Sequence, residues 1–159
     1  MSFKKVMCAA LATALVGAFA ASASASDKKM SINLGHVAIE TTPIGRGTEY
    51  FAQIVNEKTN GRITVSVFPN SQLGGNREMI EQLQMGTLQF CSPSNAFLGG
   101  FTDKPALFDL PYLFTSEEGA FKVFDSEVGT AILDDLEGAG IKGLGWFAMG
   151  WRNVTCNKE

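Results

Sequence analysis

Beyond Ala25 the chain has no apolar stretch longer than a strand, because glycine, proline or charge interrupts each one. That excludes a membrane-spanning helix there, which needs about 20 consecutive apolar residues. Histidine occurs once, as His36, which removes most histidine relay schemes, although one imidazole can act alone as acid or base. Cysteine is sparse, with only Cys8, Cys91 and Cys156, and no Cys/His spacing of a metal site occurs, so no metal or cofactor is expected. No Lys/Arg cluster follows Lys28 and Lys29, so a nucleic-acid partner, which needs a basic stripe, is excluded. Enzyme signatures are missing as well: there is no Gly-x-Ser-x-Gly elbow, no phosphate-cradling loop and no His-Glu-x-x-His. Gly143 to Ala148 matches a dinucleotide pattern by letter, but it lies inside a strand-like run and not at a strand-to-helix turn. Asn153-Val154-Thr155 fits a glycosylation acceptor, a three-letter match that carries little weight.

What is present begins with an export signal. Lys4 and Lys5 form a positive start, Val6 to Ala20 carries no charge, and Ala21 to Ala25 offers overlapping Ala-x-Ala sites, with cleavage expected after Ala25. Cys8 sits within the apolar run without the small-residue context of a lipid anchor. Losing Lys4 and Lys5 leaves 11 basic against 16 acidic residues, a net charge of −5. In an oxidising compartment Cys91 and Cys156 could pair; the alternative is two buried free thiols in strand-like sequence.

The remainder alternates strand and helix patterns. Ile32 to Leu34 reads as a strand before Gly35-His36, and Pro43 suits the first turn of a helix. Ile44, Thr48, Phe51 and Val55 form that helix's buried face, and Asn60-Gly61 ends it. Ile63, Val65 and Val67 alternate in a second strand stopped by Pro69. A Gly-rich turn, Ser71 to Asn76, leads to a helix with Met79, Ile80 and Leu83 inward. Leu88 to Cys91 is the expected third strand. After an irregular apolar stretch from Phe97 to Phe114, Thr115 to Glu118 has the form of a capping box opening another helix. Asp125 or Ser126 caps a further helix carrying Val128, Ile132 and Leu136, and Ile141 to Met149 is strand-like. This order predicts a parallel or mixed sheet covered on both faces, with ligands beyond the carboxyl ends of the strands. The loops that matter are then His36 to Thr42 and Ser92 to Asn95.

Two residues stand out. His36 reads equally as a ligand contact or as a polar residue closing a strand. Arg152 follows a long apolar run and is flanked by Gly150, Trp151 and Val154, where a charge is costly unless paired. Its guanidinium suits a bound carboxylate, and the alternatives are pairing with a nearby Asp or Glu or plain solvent exposure.

The motifs His36-Val37 with Thr42-Pro43 and Gly45, Thr59 to Ile63, Val67-Phe68-Pro69 with Gln72-Leu73-Gly74, Glu81 to Gln84 with Gly86, Phe108 to Phe114, and Gly150-Trp151-Arg152 with Thr155 recur in one order. Together they resemble the solute receptors of tripartite ATP-independent periplasmic (TRAP) transporters, the dicarboxylate-binding branch above all. The resemblance implies a periplasmic-binding-protein-like α/β clamshell of type II-like form. It implies a first lobe with a mixed, mostly parallel sheet flanked by helices, closing on an organic acid such as a C4-dicarboxylate. It also implies a periplasmic receptor, not an enzyme, that hands its ligand to membrane permease subunits driven by an ion gradient. On it, Arg152 matches a cleft-facing arginine, Ser92, Ser94 and Asn95 the third-strand loop, and His36 to Glu40 the first loop. Sialic-acid receptors carry a Glu and an Arg where this chain has Ser94 and Phe97, which argues against that ligand. The expected division is a signal over 1–25, a first lobe over 26–149, and over 150–159 the start of a strand crossing to a second lobe. Members of that family run about twice as long, and their most characteristic arginine is expected beyond Glu159, so this chain is expected to be a truncated part that does not bind by itself. The competing expectations are a small exported enzyme using His36 with Glu40 or Asp109, and an interaction domain complete at Glu159.

Overall fold

The computed structural model describes residues 28–151, 153 and 155–157. The expected signal over 1–25 and Arg152 lie outside the described residues.

Three strands form one parallel sheet in the order β2-β1-β3. Strand β1 is Met30–His36, β2 is Ile63–Phe68 and β3 is Phe90–Ser92. Between β1 and β2 runs helix α1, Pro43–Lys58; between β2 and β3 runs α2, Asn76–Gln84. Because β3 returns to the far side of β1, two right-handed crossovers place the helices on opposite faces. The packing agrees. Phe51 of α1 meets Phe90 of β3 edge to face at 5.7 Å, whereas a Cβ on Gly35 would touch Met79 of α2 at 2.7 Å. Gly35 is therefore the position at which α2 approaches the strand backbone.

Local chemistry sets the boundaries. Thr42 caps α1 by accepting the Gly45 N–H at 3.2 Å while donating to the Ile39 carbonyl at 2.7 Å, and Pro43 fills the first turn. At the other end Asn60 and Gly61 take the left-handed conformation, with φ of 52° and 74°, and turn the chain into β2. Glu78 reaches back to the Gly75 N–H at 2.8 Å and opens α2, which buries Met79 and Ile80 completely.

The third strand starts two residues later than the sequence pattern indicates. Leu88 is still in the turn, its N–H bonded to the Gln82 carbonyl at 3.3 Å. The Gln89 side chain then takes the Asn33 N–H at 3.1 Å, a place where a ladder would use backbone, so pairing begins at Phe90 opposite Leu34. The described sheet is parallel throughout, as the strand-helix order predicts.

The irregular stretch contains two 3₁₀ turns, Asn95–Gly100 and Lys104–Asp109. Helix α3, Glu117–Phe124, is capped by Ser116, whose hydroxyl accepts from Gly119 N–H at 3.1 Å, and not by Thr115. Ser126 caps α4, Glu127–Asp135, and a 3₁₀ turn over Leu136–Ala139 ends at Gly140 with φ 77°. The core joins both halves of the chain: Ile80, Leu98 and Leu136 pack together, with Cys91, Phe101, Leu133 and Ile141 around them. Lys104 and Thr102 both bind the Asp135 carboxylate, tying the second 3₁₀ turn to α4.

Residues 141–149 are not a strand. They make no ladder with the described residues, and a strand exists only through such pairing. Side chains hold the segment instead. Trp146 stacks on Phe124 at 5.6 Å and meets Phe108 edge-on at 5.1 Å, and Phe147 lies over Gly47 of α1. Cys156 is exposed, contrary to the buried-thiol alternative, while Cys91 is a half-buried free thiol. Among the described residues no helix is long and apolar enough to cross a membrane.

Because Ile80 is fully buried where α2 meets the later helices, Ile80→Ala should lower stability by about 2–5 kcal/mol. Val128→Ala, at a residue 57% exposed, should change it by less than about 0.5 kcal/mol. Urea unfolding of both variants checks the contrast.

Candidate functional site

A sheet whose strands all point one way gathers the loops that leave them along one edge. His36 ends β1 and Ser92 ends β3, and the two stand opposite each other in the register. Ser94 and Asn95 follow as the cap and first residue of the 3₁₀ turn, and Ser92, Ser94 and Asn95 are all half-buried. No hydrogen bond among the described residues engages the side chains of these three. The structure thus brings His36, Ser92, Ser94 and Asn95 to one edge.

Two further segments shape that edge, and neither is evident from residue type. Asn76, at the start of α2, accepts the Ser94 backbone N–H on its Oδ1 at 3.1 Å and so fixes the loop after β3. The turn after β2 is tied to the end of β1: the Ser71 N–H donates to the His36 carbonyl at 3.1 Å and the Asn70 N–H to the Ala38 carbonyl at 3.0 Å. The Asn-Ser and Gly-Gly-Asn pairs flanking Gln72-Leu73 were the available signal, since such residues tolerate left-handed backbone. Asn70, Ser71 and Gly74 adopt it, with φ of 53°, 58° and 108°.

Glu40 is placed differently. It is exposed and lines a concavity of about 500 Å³ with Arg46, Glu49 and Tyr50 of α1, and not with Ser92, Ser94 or Asn95. Its loop is pressed against the helix. A Cβ on Gly45 would lie 2.4 Å from the Glu40 carbonyl oxygen, so only glycine admits this approach. A second concavity, about 580 Å³ and lined by Lys29, Lys58 and Arg62, lies at the opposite end of the sheet where β2 begins.

The titratable groups at the edge are neutral at pH 7. His36 is wholly buried, and neither ring nitrogen makes a hydrogen bond of good geometry among the described residues. Burial holds its pKa below the ordinary imidazole value, against weaker upward pulls from the Ala38 backbone, Glu49 and Glu40. Burial also pushes the Cys91 thiol up to about 12, leaving it protonated and unreactive beside Ser92. Among the described residues no cluster of His, Cys, Asp or Glu could hold a metal ion. The edge offers hydroxyls from Ser92 and Ser94 and the amide of Asn95, donors suited to the oxygens of a small polar ligand.

Residues 34–159 match the family model of bacterial extracellular solute-binding proteins, family 7. The C4-dicarboxylate-binding protein DctB of Bacillus subtilis is 39% identical over 123 residues, covering 77% of this chain and 35% of the relative. The C4-dicarboxylate-binding periplasmic protein DctP of Rhodobacter capsulatus is 39% identical over 150 residues, covering 91% of this chain and 45% of the relative. Among solved structures, a TRAP periplasmic solute binding protein from Sulfurospirillum deleyianum with bound succinate superposes with a TM-score of 0.67 at 37% identity. It covers 71% of this chain and 36% of that one. The sugar acid binding protein DctPAm of Advenella mimigardefordensis, in complex with galactonate, gives 0.72 at 30% identity, covering 74% and 38%. The chain spans less than half the length of these relatives.

Gly45→Ala should displace the Glu40 loop and cost about 1–3 kcal/mol of stability through overpacking against backbone. Urea unfolding together with amide chemical shifts of residues 39–42 tests it. Unchanged shifts would mean that the contact is not a constraint.

Proposed function

The chain belongs to the bacterial extracellular solute-binding proteins of family 7, and from that premise we propose that it supplies one wall of a receptor for an organic acid. The observation that carries this reading is the register of His36 with Ser92, which sets the loops after β1 and β3 side by side at the carboxyl edge. Ser92, Ser94 and Asn95 then donate hydrogen bonds to ligand oxygens, and Arg152 provides the positive charge a carboxylate needs. His36 and Glu40 belong to the first loop bordering the groove, His36 from beneath it. Residues 26–149 form the first lobe and 150–159 begin the crossing to a second.

The ligand is a C4-dicarboxylate or a sugar acid, the two classes that these relatives bind. The receptor works by binding and not by turnover, in the periplasm, and passes its ligand to the membrane permease subunits of a TRAP transporter. The Ser92 to Asn95 loop has no acidic or basic residue of its own, which favours ligands read by neutral donors around a single guanidinium. With one wall only, the chain by itself leaves most of a ligand in water, so its own affinity is negligible.

Calorimetric titration of Ser26–Glu159 with succinate and with galactonate should give no measurable heat, and micromolar affinity would overturn the one-wall reading. Joining the chain to the C-terminal part of the Rhodobacter capsulatus relative should restore binding to one of the two. Arg152→Ala in that chimera should cost about 2–5 kcal/mol of binding free energy. A chimera that folds but binds neither acid removes the receptor reading.

A further inference from the structure

The carboxyl end of β1 holds an arrangement that ligand recognition does not require. His36 is the only histidine in the chain, it is 0% exposed, and neither of its nitrogens makes a hydrogen bond of good geometry among the described residues. A neutral imidazole carries one N–H donor and one bare nitrogen acceptor, and only the attraction of the Ala38 backbone offsets the burial of these two polar atoms. Directly along the chain, the carbonyls of His36 and Ala38 hold the turn after β2 through the N–H groups of Ser71 at 3.1 Å and Asn70 at 3.0 Å. Those two donors are consecutive non-glycine residues in the left-handed region, with φ of 53° and 58°. Such conformations persist only where surrounding contacts impose them. The side chains of Asn70 and Ser71 are exposed. Besides these two bonds, the turn is held by its own Gln72 N–H to Pro69 carbonyl and Gly74 N–H to Ser71 carbonyl bonds and by the Gln82 amide on the Leu73 carbonyl. The two bonds are thus what tie its tip to the end of β1.

We infer that His36 and the turn over residues 69–72 form a proton-operated latch at the strand ends. With the imidazole neutral, the ring stays in its dry site and the two bonds hold the turn strained and closed. A proton on the ring creates a charge that the dry site cannot solvate, and the ring moves toward water and carboxylate. That movement pulls the His36–Ala38 backbone from Ser71 and Asn70, and the turn relaxes.

The surrounding charges support this direction. The Ala38 backbone, Glu49 from α1 and Glu40 from the loop after β1 act on the ring in that order, all favouring the charged form. The residue paired with His36 from β3 is Ser92, and residues 69–75 contain no titratable side chain, so no cation opposes the movement from those elements. The sign follows from burial. Because the closed form keeps the imidazole below its ordinary pKa, both forms are neutral above about pH 6.5 and the latch is shut. Below that, the open form takes up a proton that the closed form refuses. Opening then gains up to about tenfold per pH unit until the closed form's own pKa is reached.

The single imidazole makes the test direct, and it stands apart from the organic-acid reading because it needs no ligand. Nuclear magnetic resonance of the whole chain follows the His36 ring together with hydrogen exchange of the Asn70 and Ser71 amides, corrected for intrinsic rate. The amide of Ala52, inside α1, serves as the global reference. Between pH 7.5 and 5.5 the protection of Asn70 and Ser71 should fall several-fold while that of Ala52 holds, and the loss should track titration of the ring. His36→Gln should abolish the pH dependence. Should that variant not fold, the match between ring titration and loss of Ser71 protection in the unaltered chain decides alone. A His36 that titrates near pH 6.5 with Asn70 and Ser71 unaffected overturns the latch, and so does protection that falls equally at Ala52 or persists in falling in His36→Gln.

Discussion

The parallel direction of three strands is the constraint on which this molecule depends. Parallel strands cannot be joined by tight turns, so each connection must be a helix that crosses the sheet. With β1 in the middle, the two crossovers cover opposite faces and leave the amino and carboxyl edges uncovered by helix. The carboxyl edge receives every loop that departs from a strand, and the polar residues of the chain's middle gather there: Asn70, Ser71, Asn76, Ser92, Ser94 and Asn95. The same geometry explains two glycines. Gly35 admits Met79 beneath the strand, and Gly45 admits the Glu40 carbonyl against α1. Both lie near the carboxyl end of β1, where sheet, helix and loop converge most tightly.

Periodicity exposed the elements that own their stabilisation. Ile44 and Thr48 at four-residue spacing, the alternation of Ile63, Val65 and Val67, and the Asn60-Gly61 pair all appear as read, because each reports a local requirement for a face or a turn. What periodicity could not show is pairing. Leu88 to Cys91 looks like a strand by composition, yet the Gln89 side chain takes the place of backbone there and the ladder starts at Phe90. Ile141 to Met149 looks more strand-like still and makes no ladder with the described residues. Its apolar side chains are satisfied by Phe108, Phe124 and Gly47, which hydropathy does not distinguish from a sheet neighbour. Ser116 in place of Thr115 is a smaller slip of the same kind, since two adjacent hydroxyls compete for one cap.

The site was legible in outline and not in depth. Sequence placed His36 and the Ser92 to Asn95 loop near strand ends, and the topology brings them together. It gave no hint that the imidazole is sealed away from water, because burial depends on how the rest of the chain folds over the strand end. Nor did it separate Glu40 from the serines; Glu40 lines a concavity with Arg46 and Glu49, while its backbone is pressed against Gly45. Asn76 was hidden for a related reason, since its contact with Ser94 spans 18 residues.

A groove for an anion has to balance charge, and the described edge cannot do so from its own residues. Ser92, Ser94 and Asn95 are neutral donors, His36 is held neutral by burial, and Cys91 keeps its proton. Glu40 would repel a carboxylate were it turned toward the edge, but it lines the concavity with Arg46 and Glu49 instead. The dipoles alone orient oxygens well but give little net attraction in water. A single guanidinium changes that balance, because it brings full charge and two directed hydrogen bonds in a rigid fork. Arg152 is the nearest basic residue in sequence to follow the apolar segment that Trp146 anchors across Phe108 and Phe124. The aromatic cluster is thus more than a second core: it fixes where the chain stands six residues before Arg152, the charge on which the proposed receptor reading relies, using side-chain packing where no ladder does so.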